Sequence, residues 1–208
     1  YEFYGLNFSK EDNAKEALRN AAIFRRGLGE LDQAIEDSRA YMKLVGKKDK
    51  AKAAEVYFTM GLIYEEKARQ APAGKKQDDA WSGVIKHFQQ FQKEFGKDAS
   101  AGLVLRSETR IGNAYESYKR PDYKRAQGAY AEAFTAYGKL SNAEKDGLST
   151  KARAAVAEAR FKMGESIFRE FRKTPLQIFA FRNLKKYIAE MKKKITVKSQ
   201  LVLDARKI

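Results

Sequence analysis

Few residues of this chain have side chains able to catalyse or to coordinate. There is no cysteine among the 208 residues, which removes thiol nucleophiles, disulfides and zinc-thiolate sites. The single histidine, His87, stands beside Phe88 in an apolar helical pattern. A histidine metal site needs partners that this sequence lacks, so His87 reads as a structural or surface residue. The acidic pairs Glu65-Glu66 and Asp78-Asp79 are the next candidates for metal or acid/base work. Adjacent residues on a helix point in different directions. Asp78 or Asp79 reads instead as a helix N-terminus, where negative charge is favourable. The stretch RRGLGE around Gly27 and Gly29 has the wrong spacing for a phosphate loop and reads as a connection between helices. No catalytic centre, metal or cofactor is expected.

Charge carries more information. The net charge is +15, and residues 151–208 hold sixteen basic against five acidic residues. The density is highest in FRNLKKYIAEMKKKITVK, where Lys185, Lys186, Lys192, Lys193 and Lys194 form a candidate basic patch with Ile188 and Met191 facing the core between its rows. Such a patch suits an anionic partner: an acidic protein, the cell wall, a lipid surface or nucleic acid. Nucleic acid ranks last, since no base-reading module is recognisable. No run of eighteen apolar residues occurs, so no transmembrane segment is expected. The chain starts at Tyr1 and stops inside a helical pattern, which reads as a fragment of a longer protein.

The elements that would position these groups are all helical. Three prolines, many alanines and few β-branched runs favour helix throughout. Ser9 to Asp12 reads as a cap for a helix through Leu18 and Ala21, broken by Gly27 and Gly29. A second helix carries Leu31 to Met42 and stops at Gly46; a third runs from about Asp49 to Gln70. The loop APAGKKQDD then leads to a helix with Trp81, Val84, Phe88 and Phe91 on one face. Asp98 or Ser100 and then Asp122 open the fifth and sixth helices. Ser141 to Glu144 is a capping box before a long helix to about Arg172, which Gly147 interrupts. Thr174-Pro175 starts another through Phe181, Leu184 and Ile188, and a last helix begins near Thr196. That makes about nine helices, pairing in succession.

One pattern recurs inside them. Met60-Gly61, Ile111-Gly112 and Met163-Gly164 each place a large apolar residue before a helical glycine, 51 and 52 residues apart. Ala22 occupies the same frame earlier. Glycine within a helix costs about 1 kcal/mol relative to alanine, so its recurrence implies facing helices too close for a side chain. A fixed period of helix pairs means an α-solenoid.

With a bulky residue three places after each glycine (Tyr64, Tyr115, Ile167) and an alanine and aromatic on the following helix, as in Ala126 and Tyr130, the pattern resembles the tetratricopeptide repeat. The likeness covers roughly residues 10–190, although the units are longer than the usual repeat of about 34 residues. It implies one right-handed superhelical array of four helix pairs, near 10–46, 49–96, 98–140 and 142–194, with a trailing helix. It also implies that Arg19, Ile23, Phe58, Leu62, Thr109, Asn113, Phe161 and Glu165 line a concave groove for a protein or peptide. The stretch HFQQFQKEFGKD, the long units and the basic end resemble repeat proteins of bacterial envelopes and of myxobacterial gliding machinery. The expectation is a non-catalytic scaffold, periplasmic or envelope-associated, with a cytoplasmic one as the alternative. A structural spacer and a module that binds an anionic surface are the competing readings.

Overall fold

The computed structural model describes residues 1–11, 13–45, 49–174 and 184–208, with Leu184 described by its backbone alone. Asp12, Gly46, Pro175 and Phe181, which the sequence reading used as cap, stop, helix start and apolar-face residue, lie outside the described residues. The described residues form ten helices and no strand: α1 (Glu2–Asn7), α2 (Ala14–Gly27), α3 (Leu31–Val45), α4 (Lys50–Gln70), α5 (Lys75–Phe95), α6 (Ala101–Glu116), α7 (Tyr123–Gly138), α8 (Asn142–Asp146), α9 (Thr150–Lys173) and α10 (Leu184–Lys207). They pack in neighbouring pairs. α2 lies on α3, α4 on α5 and α6 on α7, and each pair then meets the next through α3 on α4, α5 on α6 and α7 on α9. The first helices of successive pairs also touch, α4 with α6 and α6 with α9.

The helices form where apolar residues recur at helical spacing. On α5 the buried residues are Trp81, Val84, Ile85, Phe88 and Phe91, one face of a 3.6-residue period. They build the main core with Phe58, Ile111, Ala114 and Ala129. Polar side chains set several boundaries. Asp49 and Asp122 accept from the backbone N–H groups of Lys52 and Arg125, and Ser141 with Glu144 forms the expected capping box.

Several boundaries differ from the sequence reading. α1 was not foreseen; it packs on α2 with Gly5 against the Leu18 side chain. Ser9 lies in a turn and α2 starts after Asn13. α5 begins at Lys75, because Gly74 at φ +103° turns the chain four residues sooner than expected. Asp78 is therefore inside α5, where its Oδ1 accepts from the Lys119 backbone N–H at 2.8 Å. The break at Gly147 separates the short α8 from α9. At the end of the chain one helix runs unbroken from Leu184 to Lys207; Thr196 starts nothing, and its hydroxyl donates to the Lys192 carbonyl within that helix.

Two of the three repeated glycines lie at helix crossings. A Cβ on Gly61 would stand 2.6 Å from the ring carbons Cε1 and Cζ of Phe88. A Cβ on Gly112 would run into the Tyr130 ring. Both rings are buried and cannot swing away. Gly164 departs from the pattern: nothing among the described residues lies within 4 Å of an added Cβ. Among the described residues, its glycine answers no close approach from another helix.

The three glycines therefore predict opposite responses to one substitution. Gly112→Ala and Gly61→Ala should each destabilise the fold by ~1–3 kcal/mol through overpacking. Gly164→Ala should stabilise it by up to about 1 kcal/mol, the helix-propensity difference. Urea denaturation of the three variants checks both signs.

Candidate functional site

The eight groove positions do not share one surface. Phe58 is 2% exposed, wedged between Phe88 and Phe91 at ring-centroid distances of 5.4 and 5.7 Å, with the Arg106 guanidinium 4.5 Å from its centroid. It lies three residues before Gly61, hence on the face that turns toward α5. Thr109 is 1% exposed; its hydroxyl donates 3.1 Å bonds shared between the carbonyls of Leu105 and Ala155. Both were expected to line a groove, and both are core. Leu62 packs half-buried against the same core. The Asn113 amide accepts from the Tyr130 hydroxyl at 2.7 Å and donates to Glu158 at 3.0 Å, so its hydrogen bonds are internal. Glu165 pairs with Lys162, and Phe161 stands 67% exposed on α9.

Arg19 and Ile23 remain, and the fold does bring them to one place. α2 and α4 are held apart over α3, leaving two openings along their length. One, about 590 Å³, has Tyr41, Val45 and Val56 as its apolar lining, ringed by Lys15, Glu16, Arg19, Asp49, Lys52 and Glu55. The other, about 510 Å³, continues past Ala22, Ile23 and Ile63 to Arg26 and Glu66. The Arg26–Glu66 ion pair at 3.1 Å ties α2 to α4 at that end. Arg19 and Lys52 make only local pairs, with Glu16 at 3.5 Å and Asp49 at 3.0 Å. Ile23 is 55% exposed. The result is a cleft with an apolar floor and a rim of both signs.

Elsewhere the first helices of the pairs are cross-linked. Glu65 on α4 is 3% exposed and meets Arg69 at 3.0 Å and Arg110 of α6 at 3.2 Å. Burial raises its pKa, and Arg110 and Arg69 oppose that rise. Glu66 turns to Arg26, so the adjacent acids serve different partners, as helical geometry requires. Lys162 of α9 bridges to Glu116 of α6 at 2.9 Å. His87 is structural: its Nε2 donates to the Tyr57 carbonyl at 2.8 Å, its ring stacks on Tyr57 at 4.2 Å, and burial lowers its pKa. Among the described residues no cluster of three His, Cys, Asp or Glu could hold a metal, and no helix is long and apolar enough to cross a membrane.

On the basic end, Lys185, Lys186, Lys192 and Lys193 are exposed on α10, while Lys194 is half-buried and pairs with Glu190 at 3.6 Å. The five are not one uniform patch. Ile188, expected in the core between them, is 44% exposed, and Met191 is half-buried.

One group escaped the sequence reading. Glu108 on α6 has its pKa pushed up to about 7, first by burial and then by Glu132 of α7, against a hydrogen bond from Gln92 of α5. A carboxyl poised near neutrality can serve as an acid or base; the groups that set its pKa are a second acid and an amide, and the same Gln92 amide donates to the Ser107 hydroxyl at 3.0 Å. Nothing in the local sequence distinguishes Glu108 from other helix-surface glutamates, because its burial comes from α5 and α7.

Compared with known proteins, the chain matches no family model, no curated protein and no solved structure.

Glu108 predicts a pH dependence with a definite sign. Its folded pKa lies above the ordinary value of 4.5. Its contribution is therefore fully present below about 4.5 and is lost as pH rises through about 7, where the native state must ionise a buried acid. Glu108→Gln should leave stability unchanged at pH 4 and raise it at pH 8 by on the order of 2 kcal/mol. Chemical denaturation at the two pH values checks it.

Proposed function

We propose that this protein is a non-catalytic scaffold that holds a short amphipathic peptide in the cleft between α2 and α4. The cleft itself carries the reading. Its floor of Tyr41, Val45, Val56, Ile23 and Ile63 offers apolar anchor sites, and its rim offers Arg19, Lys15 and Lys52 beside Glu16, Asp49 and Glu55. An amphipathic helix or extended segment places apolar anchors into such a groove and fixes its register with charges along the rim.

The array that presents the cleft is a tetratricopeptide-like right-handed solenoid in this reading. The succession of helix pairs and the ring-on-glycine crossings at Gly61 and Gly112 support it. Ile23, 55% exposed, lines the second opening with Ala22 and Ile63, which gives an apolar anchor a place to sit there.

Panning a displayed peptide library against the full chain tests the reading. The expected result is selection of peptides with apolar residues at helical or alternating spacing. Their affinity should fall about tenfold or more in Ile23→Glu, a loss of roughly 1.4 kcal/mol, and stay unchanged in Phe161→Glu. Failure to select any peptide, or equal binding by Ile23→Glu, would leave the chain as a structural spacer.

A further inference from the structure

Among the described residues, α10 is the one helix longer than twenty residues in which none is buried. Its second half packs against α9 in the opposite direction: Lys198 stands over the Phe171 ring at 3.8 Å, and Leu201, Val202 and Ala205 face Gly164, Ile167 and Phe168. From that contact an apolar stripe, exposed among the described residues, runs along the helix. Ile188, Ile195 and Val202 are seven residues apart, hence on one line of the helix. They are 44%, 50% and 43% exposed. Phe168, 58% exposed, lines the same shallow opening of about 180 Å³ as Val202 and extends the stripe onto α9, toward Phe161.

Cations border this apolar strip. Lys185 and Lys192 lie three or four residues from Ile188 and Ile195, Arg206 lies four from Val202, and Arg172 lies four from Phe168. Each is exposed, and none of the four is in an ion pair among the described residues. The arrangement differs from the α2–α4 cleft. The opening here is shallow, its apolar side chains are exposed, and its unpaired rim charges are cations; an acid at the same spacing, Glu165, three residues before Phe168, is paired with Lys162. A protein partner of helical form would find no groove to enter.

We propose that the face formed by α9 and α10 lies on the surface of an anionic lipid bilayer, with Ile188, Ile195, Val202 and Phe168 seated at the headgroup–acyl boundary and the four cations at the phosphates. Long basic side chains beside buried apolar ones reach back to the headgroups, and a helix of this kind lies in the interface plane rather than crossing it. The net charge of +15 adds long-range attraction to an anionic leaflet. The proposal does not rest on the peptide-binding reading, which uses other helices.

Co-sedimentation of the full chain with vesicles tests it. One set is phosphatidylcholine alone and the other contains about one-third phosphatidylglycerol, a charge density at which each basic residue contributes measurably. Binding to the anionic set alone is expected, weakening as salt is raised. Lys185→Gln with Lys192→Gln and Arg206→Gln should lower it by roughly a hundredfold. Ile188→Ser with Ile195→Ser and Val202→Ser should also abolish it, at unchanged helical circular dichroism. A tryptophan placed by Ile195→Trp in a Trp81→Phe background should shift its emission to the blue on binding. No binding of the wild-type chain overturns the proposal. Retained binding by the serine variant, or no emission shift, also overturns it and points to an acidic protein or other soluble polyanion. Ile23→Glu should bind vesicles as the wild type does, which separates this outcome from the fate of the cleft.

Discussion

An aromatic ring from one helix rests on the bare backbone of the helix before it, and this happens twice in the same frame. Phe88 covers Gly61, and Tyr130 covers Gly112. The absence of a Cβ lets the two backbones approach, and the ring fills the space that closeness leaves. Neither ring has freedom to move, because each is itself walled in: Phe88 by Phe58 and His87, Tyr130 by Ala126 and Ala133. Much of the middle of the molecule takes its register from these two crossings. The Tyr130 hydroxyl fixes the Asn113 amide, and Asn113 passes the connection to Glu158 on α9. The close approach of α4 to α5 likewise places His87 where Tyr57 can accept its hydrogen bond.

Lateral bonding between the first helices of the pairs then decides which parts of the array are closed. α4, α6 and α9 are joined by Glu65 to Arg110, Thr109 to the Ala155 carbonyl, Asn113 to Glu158 and Glu116 to Lys162. A buried carboxylate such as Glu65 is costly without partners, and the two arginines supply them. Between α2 and α4 the ties thin to the Arg26–Glu66 pair. The cleft exists because that bridge stands at one end only. The same contrast separates the centre from the far end, where α10 meets α9 through part of its length and leaves its apolar stripe about half exposed.

The two open surfaces have different chemistry. The α2–α4 cleft is recessed and carries charges of both signs, which favours a partner with its own alternating pattern. The α9–α10 face is shallow and bordered by cations. Charge alone would not separate them, since both contain arginine and lysine. The difference lies in how many acids accompany the cations and in whether apolar side chains line a recess or stand exposed.

The sequence by itself determined the all-helical class, most of the central helices with many of their ends, and two of the crossings; α1 and the unbroken α10 were not legible in it. Helical periodicity is local, so the apolar faces of α5 and α7 can be read from spacing alone. Caps are local too, which is why Asp122 and the Ser141 box were legible. Tertiary structure decided whatever depends on a second helix. Gly61, Gly112 and Gly164 look alike in sequence, yet among the described residues only the first two face a ring. Phe58 and Phe161 stand at equivalent distances before a glycine, yet one is core and the other solvent-exposed. Arg19 and Ile23 were legible as outward positions, but the depth of the cleft they border was not. That depth is set by how far α2 stands from α4, and no residue's neighbours in the chain encode the distance between two helices separated by a third.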